Sequence, residues 1–238
     1  MSQARRSPFL PALLTVALTG CVQVDRPTGP VRSEHKTIDL DRTEMVRVEV
    51  RMGAGELKLS GGAEKLLDAD FRFSDGMGEP KVRYEATGFR GRLTVESGMA
   101  RRVNLGEVTN VWNLRLNETK PIDLAVHLGA GENRLDLSRL TLRSLEIQLG
   151  AGRLDLDLSG DYKHDFEARI RGGVGQANIR LPRTIGVSVD AKGGIGSIKT
   201  HGLDRRGDRY VNAAYGKSPV TLRMEVRGGI GEIDLRVD

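Results

Sequence analysis

The sequence has one cysteine, Cys21, and so cannot form an internal disulfide. Aromatic residues are only 4% of the chain, which leaves Leu, Val and Ile to build the core and favours a thin, regularly layered β architecture. Neither sign of charge dominates: 37 basic and 32 acidic residues alternate along most segments, which argues against nucleic acid as a partner. The four histidines, His35, His127, His164 and His201, lack metal-ligand spacing, so no metal and no other cofactor is expected. No Gly-x-Ser-x-Gly elbow is present, and the chain is not expected to be an enzyme.

Long hydrophobic runs are missing too. The stretch from Phe9 to Leu18, broken by Pro11, is too short to span a bilayer and follows the basic MSQARR, as in a secretory signal. Leu18-Thr19-Gly20-Cys21 resembles a bacterial lipobox, which implies cleavage after Gly20 and a lipid on Cys21. The expected organisation is a signal peptide over 1–20, a lipid-anchored flexible tether over 21–43 and a folded body over 44–238. Val22 stands where an Asp would hold a lipoprotein at the inner membrane. That points to the periplasmic face of the outer membrane, with the membrane itself as one partner. A spacer of this length reaches roughly 25 Å.

What the sequence has in abundance is glycine, and its glycines are positional. Six Gly-x-Gly triplets recur, at Gly53/Gly55, Gly129/Gly131, Gly150/Gly152, Gly173/Gly175, Gly194/Gly196 and Gly229/Gly231. The intervals are 76, 21, 23, 21 and 35 residues, which gives a unit of about 21 to 23 with insertions. The flanks alternate apolar and polar with period 2, as in Val46, Val48, Val50, Met52 before the first triplet and Leu57, Leu59 after it. In every copy the apolar positions change parity across the glycines. A straight strand would then swap faces, so the chain must bend or gain a residue there.

Two all-β folds satisfy the parity change. One is a single-chain β-solenoid whose rungs bend at the triplets. The other is an antiparallel β-meander with a hairpin at each triplet. The β-branched middle residues Val174, Ile195 and Ile230 resist the positive φ of tight hairpin turns and favour the solenoid, with these residues extended and facing inward. Dinucleotide binding is rejected, because a strand pattern and no helix follows the glycines. Calcium nonapeptides are rejected because Ala177 and Ile233 occupy the aspartate slot. Asp136, Asp155, Asp157 and Asp234 fall on the outward parity.

The stretch 63–123 is less regular. LLDADFRFS and PKVRYEATGFRGRLTVES alternate as strands, Gly88–Gly91 reads as a decayed corner, and Ala63 to Leu67 as a short helical turn. Residues 98–111 and 204–219 read as loops, and Trp112 and Phe89 as core or cap.

Residues 112–160, with Trp112-x-Leu-x-Leu-Asn117 and two consecutive Leu-Gly-Ala-Gly rungs, resemble the bacterial toast-rack family and the related putative-adhesin domains. The resemblance implies an envelope-associated β-solenoid without established catalytic residues. The expected function is a non-catalytic, membrane-anchored surface for a protein or cell-wall partner. Alternatives are self-association through strand edges, with EIDLRVD as the uncovered last strand, and a ligand or enzyme site on a 98–120 loop.

Overall fold

The structure, a computed structural model, describes residues 30–99 and 108–238. The signal segment, Gly20 and Cys21 lie outside the described residues. Along the chain run β1 (Val31–Ile38), β2 (Met45–Gly61), β3 (Leu67–Ser74), β4 (Lys81–Thr87), β5 (Arg90–Glu96), β6 (Asn110–Leu116), β7 (Ile122–Asp136), β8 (Leu142–Asp157), β9 (Phe166–Leu181), β10 (Gly186–His201), β11 (Asp204–Arg206), β12 (Arg209–Val211) and β13 (Thr221–Val237).

Six of these strands, β2, β7, β8, β9, β10 and β13, are 15 to 17 residues long and carry a triplet near the middle. They stack in parallel and stay in register through the glycines, Gly55 beside Gly131, Gly152, Gly175, Gly231 and Gly196 in turn. Hairpins at the triplets are therefore excluded, and the fold is an all-β solenoid. Each rung has two arms meeting at the corner. Val46, Val48 and Val50 of the first arm and Leu57 and Leu59 of the second are buried together, as the parity change requires. Fully burying one such side chain is worth about 1.5–3 kcal/mol, and the core repeats them in every rung.

The returns between rungs reuse one device. Asp136 accepts from the amide and hydroxyl of Ser138, and Asp157 does the same for Ser159, while the intervening Leu137 and Leu158 are buried. These short Asx turns reverse the chain without leaving its backbone unpaired.

A seventh rung is cut in two. β5 pairs in parallel with the first arm of β2 (Met45–Arg51) and β6 with the second (Glu56–Gly61). The strands β3 to β6 lie between the first triplet and the second and account for the 76-residue interval. β4 covers β5, while β3 and then β1 cover β6, all antiparallel.

Several expectations are corrected here. The second half of the supposed tether is the strand β1, whose eight residues pair with β3 and bring Ile38 against the core. Gly88 and Phe89 make the tight turn of the β4–β5 hairpin, with Gly88 at φ 58°, and Arg90 and Gly91 open β5. Ala63 to Leu67 makes bends and enters β3 without a helix. Residues 110–116 are β6, so the 98–120 segment is not a loop throughout, residues 100–107 of it lying outside the described residues, and Trp112 is buried edge-on against Phe71 at 5.4 Å. Phe89, by contrast, is exposed. The 204–219 segment contains the β11–β12 hairpin.

The largest correction concerns order. The rungs run β2, β7, β8, β9, β13, β10, so the last strand of the chain is inserted between β9 and β10. EIDLRVD is thus covered on both sides, and the terminal rung is β10. Its first arm is capped by β12 at Ser188 and Val189, whereas its second arm has β13 as its one strand partner among the described residues.

Candidate interaction surface at the corners

The corner glycines have two distinct jobs. A Cβ on the first glycine of β7, Gly129, would overlap the carbonyl oxygen of Gly53 in the rung below. The second, Gly131, has φ 143°, a conformation closed to side chains, and a Cβ there would overlap Gly55. Close stacking thus demands the first glycine, and the bend itself demands the second.

The middle residue, expected to face inward, faces out. Val174, Ile230 and Ile195 are 53%, 52% and 72% exposed, and Ala54, Ala130 and Ala151 are exposed too. In register these six form one line along the solenoid edge, Ala-Ala-Ala-Val-Ile-Ile. The positive-φ glycine rotates the preceding residue out of the core, which the alternation alone did not reveal. Scattered exposed apolar residues are ordinary, but three β-branched ones on adjacent rungs form a patch.

Two residues before the first glycine of each triplet lies a mostly basic row on the outer face: Arg51, His127, Gln148, Arg171, Arg227 and Lys192. Beside it Arg227 donates to the Asp190 carboxylate at 2.8 Å, which holds Asp190 below its ordinary pKa and raises Arg227. Beyond the corner, Lys199 and Glu232 pair at 2.8 Å, raising the amine and lowering the acid. Asp155 sits among Arg153 (3.2 Å), Arg134 (3.9 Å) and Asn178 (2.6 Å), so the outward aspartates are partnered. Such exposed pairs contribute little stability each. Their role is to fix the pattern of charge on a rigid face.

The histidines are dispersed. His127 is half-buried near Glu49 (3.7 Å) and beside Gln148, His201 is near Asp234 (3.6 Å), and His164 is exposed in a return. Sequence spacing missed one cluster: the pairing of β1 with β3 sets His35 Nδ1 2.8 Å from Asp70 and 3.9 Å from Asp68. Arg115 already takes the other oxygen of Asp68 at 2.8 Å, and the group is a surface ion-pair network. Two further groups shift for structural reasons. Burial, then the charges of Asp157 and Asp136, raise the Tyr162 phenol, which donates to Leu137 O. Asp41 is lowered: partial burial pushes it up, but hydrogen bonds from Thr43 and Tyr84 outweigh that. Among the described residues no helix is long and apolar enough to cross a membrane.

Residues 27–180 match the family described as the N-terminal domain of toast_rack, DUF2154. A solved structure of a "putative cell adhesion protein" from Clostridium sporogenes ATCC 15579 is 33% identical, with a TM-score of 0.85 over 88% of this chain and 100% of its own. A "putative adhesin" from Bacteroides fragilis NCTC 9343 is 11% identical over 88% of this chain and 98% of its own, and its TM-score of 0.30 carries no weight. No curated protein matches the chain.

Proposed function

Because the chain belongs to the family of the N-terminal domain of toast_rack, we propose that it is a non-catalytic envelope lipoprotein whose solenoid presents its corner edge to a protein or cell-wall partner. The observation that carries this reading is the unbroken outward line from Ala54 to Ile195, flanked in register by the row from Arg51 to Lys192. A rigid β face bearing apolar residues at roughly 4.8 Å intervals, with charges beside them, suits recognition of an extended or repetitive surface. The cell-adhesion description of the Clostridium sporogenes structure agrees with such a role. In this reading residues 1–20 are removed, Cys21 carries the lipid, and the body stands at the periplasmic face of the outer membrane.

Crosslinking in intact cells, read by mass spectrometry, tests the interaction. Specific envelope partners joined through residues near 174, 195 and 230 are expected; a random sample of neighbours would refute it. Labelling with an alkyne fatty acid tests the anchor: label on the parent and none on Cys21→Ser.

One observation favours self-association as a second reading, now through a different strand. The outer edge of the second arm of β10 carries no strand partner among the described residues, and an unpaired edge is a template for another chain. Concentration-dependent sedimentation would support it, and a monomer at every concentration would end it.

A further inference from the structure

In β2, β7 and β8 the inward position before the corner holds Met52, Leu128 and Leu149, all buried. The residues in register with them on β9, β13 and β10 are Gly172, Gly228 and Gly193. Neither backbone nor packing requires glycine at 172 or 193. Neither has positive φ; a Cβ on Gly172 would meet nothing within 4 Å, and one on Gly193 only Ile198 at 3.9 Å. On Gly228 a Cβ would touch the movable end of Ile233 at 3.1 Å. In the same three rungs the large apolar residue has moved to the exposed middle of the triplet, as Val174, Ile230 and Ile195. The side chains missing from the interior leave a groove of about 260 Å³, lined by Leu149, Leu154, Ile170, Val226, Ile233 and Ile198.

The shape of the groove selects its occupant. It crosses the rungs from β8 to β10, three spacings or about 14 Å, as a slot left by one missing side chain per rung, which suits an extended apolar chain and not a helix about 10 Å across. Leu149 and Leu154 wall it at β8, and it runs out at the terminal rung. The charge around it is positive: β9, β13 and β10 carry eight basic and five acidic residues, while β2, β7 and β8 carry six and eight. Arg227 and Glu232 line the mouth, Arg227 paired with Asp190 and Glu225, and Glu232 with Lys199. Arg171, just before Gly172, lies outside the groove, in the neighbouring depression that Arg51 and His127 also line, and forms no ion pair among the described residues.

We propose that this groove binds a single unbranched acyl chain with an anionic head group, the chain lying across the three glycines and the head on the basic side of the corner. The site goes beyond the partner surface proposed above and does not depend on it.

The test uses the full chain with Cys21→Ser, which removes any acyl group of its own, titrated calorimetrically with laurate below its micelle concentration. Saturable one-to-one binding is expected. Gly172→Leu, which supplies the side chain that β8 has at this place, should weaken it at least tenfold without lowering the melting temperature. If that variant melts lower, Gly193→Leu on the terminal rung asks the same question. Leu149→Gly should lengthen the groove by one rung and shift the preference towards longer acids. Dodecyltrimethylammonium should bind at least tenfold more weakly than laurate. Absence of saturable binding, equal binding by the leucine variants, or binding only to anionic phospholipid vesicles would overturn the proposal.

Discussion

Val174 and Ile230 are register partners on adjacent parallel strands although 56 residues separate them, and Ile195, nearer to Val174 in sequence, stands beyond Ile230. The chain makes the outermost rung first and then returns to slip its final strand beneath it. β10 is therefore separated from β9 by a strand that has yet to be made when β10 is complete.

That order predicts the effect of truncation. Removing residues 221–238 takes a strand from the middle of the stack and strips partners from both β9 and β10. Cooperative thermal unfolding, followed by circular dichroism, should be lost. A melting temperature within a few degrees of the parent would contradict the insertion of β13.

The same measurement applied to the N-terminal side checks β1. A body starting at residue 44 lacks the strand that covers β3 and exposes an unpaired edge. It should melt lower and aggregate more readily than one starting at residue 30. Equal behaviour of the two would restore the view of 31–43 as a spacer.

Glycines should separate by position. Gly131→Ala forces a side chain into φ 143° and into Gly55, and should cost about 3 kcal/mol or prevent folding. Gly172→Ala meets open space at an ordinary φ and should fall within about 1 kcal/mol of the parent, on the stabilising side. Urea denaturation of both variants decides; similar losses would mean that all corner glycines serve one purpose.

Asn212 pins the segment before β13 to the core. Its amide donates to Ile185 O (2.8 Å) and Pro182 O (3.2 Å), and its oxygen accepts from the Val187 amide (3.0 Å). Asn212→Leu should cost about 2 kcal/mol in urea unfolding, because buried backbone groups lose their partners. No loss would place this contact outside the stabilising set.

Asp190 gives a pH dependence. The hydrogen bond from Arg227 lowers its folded pKa below the model-peptide value of 3.8. Its stabilising contribution is therefore present above that pH and disappears as the pH falls towards the folded value, where the unfolded state binds more protons. Melting curves across pH 2 to 6 should show a shallower acid limb for Asp190→Asn than for the parent. Parallel limbs would remove Asp190 from the acid response.

By itself, the sequence determined the rung. Alternation of period 2 and the parity change at each triplet are local patterns, and each follows from chain geometry over a few residues. Tertiary structure alone decided the order of the rungs and the outward turn of the middle residue. Every triplet strand offers nearly the same edge, so nothing local tells β10 whether to follow β9 or β13. The line of Val174, Ile230 and Ile195 is invisible in the sequence for the same reason. The groove beneath it is hidden too, since both arise only when strands distant along the chain stack at van der Waals distance.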